Sequence, residues 1–251
     1  MSATEAATPV AWLRSLLFNI GFFLWTALIV TFGVLLLPLP WRWMHRLGRL
    51  WCRGTLWLLR AIVGLDHRTD GRENLLPEPA IYASKHQSTW DTLIFALLLP
   101  DCAYVLKREL YWLPLFGQLL ARSRPIPVDR SAGGSALRRM LATAERAIDE
   151  GRSIVIFPEG TRMAPGERTR YRPGAAALYQ RLGVPVVPVA LDSGRYWGRR
   201  RFAKRPGTIA IRFLPPIPPG LGRRDFMATL EGRIETGCRA LPGPPRAGGA
   251  E

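Results

Sequence analysis

The segment Lys85–Asp91, with the sequence KHQSTWD, holds the side chains best suited to acid–base chemistry. His86 and Asp91 are five positions apart, so on one continuous helix they would point about 140° apart. If Ser88 caps a helix, however, His86 lies in the preceding loop and can fold back over Asp91 at the third helical position. The carboxylate would then accept the imidazole N–H, and the other ring nitrogen could take a proton.

The same segment also has a purely structural interpretation. Ser88 and Asp91 form a capping-box pattern, in which the carboxylate satisfies backbone N–H groups at the start of a helix. His86 would then be an ordinary polar loop residue. This segment alone does not choose between the two interpretations, and one carboxylate could serve both roles.

A second polar segment, Phe157–Arg162 with the sequence FPEGTR, ends the apolar run Ser153–Phe157. The run predicts a strand, and polar groups at the carboxyl end of a strand are where α/β sheets build sites. Gly160 permits a tight turn, and Arg162 presents a guanidinium fork suited to phosphate oxygens. The alternative is a surface turn with a solvated arginine. Two further polar segments, each weak alone, are Lys107–Leu110 (KREL) and Pro125–Arg130 (PIPVDR).

Together and in this order, the segments resemble the glycerophospholipid acyltransferase family, whose best-known members are 1-acyl-sn-glycerol-3-phosphate acyltransferases. The four motifs of that family correspond, in order, to His86 with Asp91, Pro125–Arg130, Phe157–Arg162 and Val184–Val189. The resemblance covers about residues 75–215. Two departures are that Lys85 stands where many members have asparagine, and that the second motif is richer in proline. The lysine is expected to leave catalysis intact but could alter contacts with the acceptor.

The resemblance implies an enzyme that moves a fatty acyl group to the sn-2 hydroxyl of 1-acyl-sn-glycerol-3-phosphate (lysophosphatidic acid), giving phosphatidic acid for phospholipid biosynthesis. Acyl-CoA or acyl-carrier protein would be the co-substrate, and no cofactor or metal is implied. His86 would be the general base and Asp91 would orient it. The substrate-binding residues implied, mainly for the acceptor phosphate, are Lys107, Arg130, Glu159, Gly160, Thr161 and Arg162.

Three alternatives remain open. Another lyso-lipid, such as a lysophospholipid or a lyso-aminolipid, would use the same motifs. A lipid serine hydrolase would use Ser88 beside His86, although the chain has no G-x-S-x-G nucleophile elbow. A membrane-tethered nucleic-acid-binding protein would explain the positive charge, but the chain lacks the usual DNA- and RNA-binding signatures. We therefore predict a lyso-lipid partner and no nucleic acid.

The composition agrees with a lipid partner. The chain has 251 residues and a formal net charge of +16, which comes almost entirely from arginine. Such a surface attracts anionic lipids, phosphorylated substrates or nucleic acid. The three cysteines and three histidines are scattered, which argues against a disulfide framework or a multi-histidine metal centre.

The N-terminal region predicts two membrane-associated helices. The apolar run Leu16–Leu37 would extend about 33 Å as a helix, enough to cross the hydrocarbon core. After Pro38 and Pro40, a second helix over Trp41–Val63 would carry a basic stripe beside an apolar face with several tryptophans. Burying those arginines would cost roughly 2.5–3.5 kcal/mol each, whereas anionic headgroups would contribute about 1 kcal/mol each. The stripe consists of Arg42, Arg46, Arg49, Arg53 and Arg60.

This second helix is therefore predicted to lie on the membrane surface and to contact anionic lipids. A soluble amphipathic helix whose arginines face water is the alternative. By the positive-inside tendency, everything after residue 41 would be on the cytoplasmic face of the inner or plasma membrane. The pattern does not distinguish a first helix that spans the bilayer from one that enters a single leaflet.

Beyond about residue 64, short apolar runs alternate with helical periodicity. This alternation predicts an α/β fold with a mixed, largely covered sheet flanked by helices. We predict a membrane-anchoring segment over residues 1–64, a catalytic domain over 65–241 and a disordered tail over 242–251. The predicted strands are Pro79–Ser84, Cys102–Leu106, Pro125–Val128, Ser153–Phe157, Val184–Leu191 and Thr208–Phe213. The predicted helices are Thr89–Leu99, Ser135–Glu150, Gly174–Leu182 and one that contains Phe226, Leu230, Ile234 and Cys238.

Overall fold

The computed structural model describes residues 8–129 and 133–242. Arg130 and the tail beyond residue 242 lie outside the described residues. The helices are α1 (Pro9–Leu35), α2 (Trp41–Leu58), α3 (Trp90–Leu98), α4 (Phe116–Arg122), α5 (Gly133–Asp149), α6 (Gly174–Leu182) and α7 (Arg223–Arg239). The strands are β1 (Leu65–Asp70), β2 (Ile81–Ser84), β3 (Cys102–Lys107), β4 (Ile126–Val128), β5 (Ser153–Ile156), β6 (Val186–Leu191) and β7 (Gly207–Phe213).

These strands form one mixed sheet with the order β1-β7-β6-β2-β5-β3-β4. The five strands from β6 to β4 are parallel to one another, whereas β7 runs antiparallel to β6 and β1 runs parallel to β7. The carboxyl ends of β2 to β6 therefore meet at one edge of the sheet. The segments that follow those strands contain most of the polar residues singled out above.

Helices cover both faces of this sheet. Every residue of β2, β5 and β6 is buried, as the uninterrupted apolar runs of those strands require. One face packs against α1, α2 and α3, and the other packs against α5, α6 and α7. The predicted α/β fold with a mixed, largely covered sheet is confirmed.

The six predicted strands and the four predicted helices of this region are all present, and where bounds were predicted they agree within two residues. Strand β1 and helix α4 were not predicted. The sequence of β1, LDHRTD, has no apolar run, and its side chains are mostly half-buried because the strand lies at the edge of the sheet. Helix α4 has only seven residues and is too short to show a clear period.

The two N-terminal helices form a closely packed pair. Helix α1 begins seven residues earlier than predicted, because the Thr8 hydroxyl caps it and Pro9 occupies its first position. Helix α2 continues through a π-helical turn over Leu59–Val63, so it matches the prediction. At Gly54 a Cβ atom would lie 2.5 Å from the ring of Trp25, so only glycine permits this approach of the helices.

Candidate active site

His86 lies in the loop between β2 and α3 and contacts Asp91 through its ring. The Nδ1 atom of His86 is 3.0 Å from Oδ2 of Asp91, which is completely buried. The imidazole keeps 14% of its side-chain surface exposed and lines a large cavity. With Nδ1 held by the carboxylate, Nε2 is the ring nitrogen that can take a proton.

The Asp91 carboxylate also holds the backbone of the loop before α3, so one group contacts both the imidazole and the main chain. Its Oδ2 accepts the backbone N–H groups of Gln87 at 2.6 Å and Ser88 at 2.8 Å. The Ser88 hydroxyl accepts the N–H of Trp90 at 3.1 Å. Because α3 begins at Trp90, Asp91 is the second helical residue rather than the third, as predicted from a Ser88 cap.

A residue after β6 completes the contacts of this carboxylate. The Ser193 hydroxyl donates to Oδ1 of Asp91 at 2.5 Å, and the next N–H, that of Gly194, donates to the side-chain oxygen of Gln87 at 3.0 Å. Sequence reasoning missed Ser193. The signal was available, because Ser193 follows a strand whose carboxyl end meets that of β2 at the same edge.

The segment after β5 holds the backbone and the ring of His86. Oε2 of Glu159 accepts the His86 N–H at 2.8 Å, and the His86 carbonyl accepts the N–H of Met163, also at 2.8 Å. The Phe157 ring stacks on the imidazole with 4.1 Å between centroids. Gly160 allows the chain to turn back toward His86 after β5, because its φ of +69° is costly for any residue with a Cβ atom.

Four cationic residues line the same cavity as His86. Arg49 donates to the carbonyl oxygens of residues 99 and 100, and the other three are Lys107, Arg162 and Arg172. Nη1 of Arg162 donates to the Thr89 hydroxyl at 3.0 Å, and the ammonium of Lys107 is 3.3 Å from Oε1 of Glu109. All three side chains belong to exposed residues and can reorient toward an anion. Arg172 was missed by sequence reasoning, because it lies in an arginine-rich segment in which no spacing distinguishes one arginine from the next.

The other predicted binding residues fall into two groups. Gly160 and Thr161 line the cavity beside Arg162. Glu159 is buried and turned away from the cavity, toward the backbone of His86 and the ammonium of Lys85. Lys85 is buried as well, so the expected effect of this lysine on acceptor contacts is wrong.

The cavity has a volume of about 1140 Å³ and extends from His86 to the N-terminal helices. Such a volume exceeds the upper end of ordinary small-ligand pockets, as a long aliphatic chain would require. Two cysteines near this region are poor candidates for a covalent acyl carrier, because burial raises the pKa of the Cys52 and Cys102 thiols to about 12. The apolar part of the wall includes Ile29, Val30, Met44, Leu47, Ala96, Leu119 and Leu120.

Comparison with known proteins identifies the family. The family model described as "Acyltransferase" matches residues 67–192, which contain all four motifs. The chain is 36% identical over 237 residues to the 1-acyl-sn-glycerol-3-phosphate acyltransferase of Pseudomonas aeruginosa, covering 94% of this chain and 90% of that protein. It is 33% identical to the enzyme of the same name from Limnanthes douglasii, covering 73% of this chain but only 66% of the longer plant protein.

A solved structure supports the same fold. The crystal structure of the 1-acyl-sn-glycerophosphate (LPA) acyltransferase of Thermotoga maritima is similar with a TM-score of 0.72 at 19% sequence identity. The match covers 93% of this chain and 99% of that one. With this fold, the four motifs and a relative that aligns over 94% of this chain, the chain belongs to the acyltransferase family.

Proposed function

We propose that the chain transfers a fatty acyl group from a thioester donor to the sn-2 hydroxyl of 1-acyl-sn-glycerol-3-phosphate, forming phosphatidic acid. The observation that carries the proposal is the His86–Asp91 pair, which opens on a large, mainly apolar cavity whose wall also carries Lys107, Arg162 and Arg172. The names of the aligned relatives support the same acceptor.

In the proposed reaction, Nε2 of His86 takes the proton of the acceptor hydroxyl while Asp91 holds Nδ1–H and stabilises the imidazolium. The acceptor oxygen attacks the thioester carbonyl and forms a tetrahedral intermediate. The carbon–sulfur bond then breaks, and the imidazolium returns its proton to the departing thiolate. The products are the ester and a free thiol, and no covalent acyl-enzyme is formed.

We assign the acceptor phosphate to Lys107, Arg162 and Arg172. Guanidinium groups present paired N–H donors that match phosphate oxygens, and the ammonium adds a further positive charge. Gly160 and Thr161 would contribute the adjoining wall, and Arg130 is retained as a further phosphate ligand from the sequence. Glu159 would position the loop rather than touch the phosphate, because it is buried against the His86 backbone.

A phosphorylated donor, either acyl-CoA or acyl-carrier protein, is proposed because a basic groove adjoins the cavity. This groove, of about 520 Å³, shares Asp129 and Ala136 with the cavity wall. Its three arginines, Arg108, Arg139 and Arg146, would face the phosphates of the donor while its acyl chain occupies the cavity. Both donors carry a phosphorylated pantetheine arm, so the groove suits either one.

We propose that α1 enters one leaflet of the membrane and does not cross it. Among the described residues, α1 is the one helix that is long and apolar enough to span, and only 17% of its most apolar window is buried. Yet it contacts the catalytic domain near both ends. Ser15 and Asn19 accept hydrogen bonds from Lys204 at 2.9 Å, and Gly33 packs against Leu119. A helix perpendicular to the membrane would contact a domain outside the bilayer at one end only.

The surface of α2 supports a membrane interface. Trp43, Leu50 and Trp57 are exposed at intervals of seven residues, so they share one face. Arg49, which was assigned to the basic stripe, instead donates to the carbonyl oxygens of residues 99 and 100 and ties α2 to the end of α3. The exposed arginines that remain for anionic headgroups are Arg42, Arg46, Arg53 and Arg60. By the positive-inside tendency, this face would be cytoplasmic.

The test is acyl transfer from a radiolabelled acyl-CoA to lysophosphatidic acid by the purified full-length chain in lipid vesicles. We expect phosphatidic acid as the product and loss of turnover in His86→Ala, with expression and vesicle association unchanged. A fully active His86→Ala protein would reject the base. Hydrolysis of the donor through an acyl-serine would instead favour the hydrolase alternative, although Ser88 is buried and its hydroxyl caps α3.

A further inference from the structure

Lys85 lies beneath the loop between β2 and α3, the catalytic loop that carries His86, and it is completely enclosed by protein. Its ammonium is 2.7 Å from Oε1 of Glu159 and 2.7 Å from Oε1 of Glu235, and it donates to the carbonyl of Glu167 at 3.3 Å. The side chain is 2% exposed, and that of Glu159 is fully buried. None of the three charged side chains lines the cavity that contains His86.

These contacts connect α7 to the catalytic histidine. Glu235 is on α7, 150 positions from Lys85 in the chain, and its Oε1 also accepts the Tyr171 hydroxyl at 3.1 Å. The Lys85 ammonium forms ion pairs with both Glu235 and Glu159, and Glu159 accepts the backbone N–H of His86. A change in charge at α7 can therefore reach the backbone of the base through three consecutive polar contacts.

The cluster depends on its internal charge balance. A buried carboxylate is costly unless a cation and hydrogen bonds compensate for lost water. Burial raises the pKa of Glu159, and the hydrogen bond from Lys85 opposes that rise. Burial alone would lower the pKa of Lys85, but Glu159 and Glu235 together hold that pKa above its ordinary value. The Lys85 ammonium thus partly offsets the burial of the Glu159 carboxylate, and Arg168, 4.0 Å from Oε2 of Glu235, is a second cation beside the cluster.

We propose that Lys85 is a positioning residue for His86, acting through Glu159 and without contact to either substrate, and that Glu235 is the second charge that Lys85 balances. The ammonium keeps Glu159 anionic and correctly oriented, and Glu159 fixes the backbone from which the imidazole extends toward Asp91. Precise placement matters, because a displacement of about 1 Å at a reacting group can lower a rate roughly 100-fold. Measuring this effect as a change in kcat rests on the proposed acyl transfer.

The experiment compares Lys85→Gln, Glu235→Gln and the double variant in the full-length protein. Lys85→Gln leaves the buried Glu159 carboxylate facing that of Glu235, whose Oε2 keeps only Arg168 at 4.0 Å, and we expect kcat to fall by roughly 10- to 100-fold. KM for lysophosphatidic acid and for acyl-CoA should change by less than about 2-fold, because the cluster does not line the cavity. The double variant removes one charge of each sign, so most of the lost kcat should return. Glu235→Gln alone keeps the Lys85–Glu159 pair and should stay close to the wild type.

A pH series separates positioning from loss of packing. In Lys85→Gln, protonation of one carboxylate relieves the repulsion, so its kcat relative to wild type should rise as the pH falls from 8 to 6. Lys204→Gln is the matched control, because Lys204 is equally buried but contacts α1 instead of the catalytic loop. It should lower the melting temperature and leave kcat per folded molecule unchanged at each pH.

The rate at which diethyl pyrocarbonate modifies His86, followed by mass spectrometry, adds a readout that needs no turnover. We expect this rate to change in Lys85→Gln and to return in the double variant. An inactive wild type with this pattern would reject the proposed reaction and keep the positioning role. A folded Lys85→Gln protein with wild-type kcat, or a folded double variant as slow as Lys85→Gln, would overturn the positioning role. If Lys85→Gln does not fold, the kcat of the double variant relative to the wild type tests the positioning role by itself.

Discussion

Asp91→Asn is the substitution that best isolates the charge of the catalytic pair. Oδ2 of Asp91 accepts three N–H groups, from His86, Gln87 and Ser88, at 2.6–3.0 Å. An asparagine can place its amide oxygen at the same point and turn its nitrogen toward the Ser193 hydroxyl, which can accept a hydrogen bond. The hydrogen-bond pattern would survive, and the negative charge would be lost.

Two magnitudes follow from this geometry. Each of the three N–H bonds changes from charge-assisted to neutral, at about 1 kcal/mol each, so the free energy of unfolding should fall by about 3 kcal/mol. The imidazolium formed during the reaction loses a carboxylate 3.0 Å away. At an effective dielectric constant of about 20, that attraction is at most about 5.5 kcal/mol. We expect kcat to fall by about 10²- to 10⁴-fold, which is roughly 3–5 kcal/mol in the barrier.

Initial rates of phosphatidic acid formation, divided by the folded fraction from a thermal melt, provide the assay. Asp192→Asn is the control, because Asp192 is also a buried aspartate and accepts the N–H of Ala210 at 2.9 Å without contacting His86. It should be less stable and retain its kcat per folded molecule. The reasoning is refuted if Asp91→Asn keeps kcat within about 3-fold of the wild type, since general-base catalysis is worth far more.

Three further predictions test the binding groups and the attachment of α1. Arg172→Gln should raise KM for lysophosphatidic acid about 10-fold and leave KM for acyl-CoA unchanged, as charge-assisted phosphate contacts predict. Combined Arg139→Gln and Arg146→Gln should raise KM for acyl-CoA but not for acyl-pantetheine, whereas Arg138→Gln, on the same helix outside the groove, should have no effect. Burial lowers the pKa of Lys204 from 10.5 to about 8, so the unfolded chain binds more protons between those values. Wild-type stability should therefore rise relative to Lys204→Met from pH 8 to 10.5, by at most about 3 kcal/mol; parallel melting curves would contradict this.

The sequence predicted the elements whose residues carry a strong local signal. Six strands contain uninterrupted or alternating apolar runs, and each was located within two residues. Strand β1 has no such run. It is a strand because β7 supplies parallel partners for all six of its residues. Its existence depends on tertiary pairing, which no local pattern in the sequence reveals.

In the site, as in the sheet, the sequence predicted the contacts that are local in the chain and missed those that depend on tertiary packing. His86 and Asp91 are close in sequence, and a helix that begins between them was enough to predict that their side chains meet. Ser193 and Glu235 lie 102 and 150 positions from Asp91 and Lys85, the residues that they contact, so no local spacing connects them. For Ser193 the one available signal was its place just after β6. Each acquires its role only when the sheet edge or α7 brings it beneath the loop.

The two carboxylates around His86 have different roles because they contact different parts of it. Asp91 accepts the ring N–H, so its charge acts on the imidazolium that forms in the transition state. Glu159 accepts the main-chain N–H, so its charge acts on where the base lies. A loss at Asp91 should therefore persist across the pH range, whereas a loss in the Glu159 cluster should lessen as the buried carboxylates become protonated. The pH dependence of each deficit, more than its size, separates chemistry from positioning.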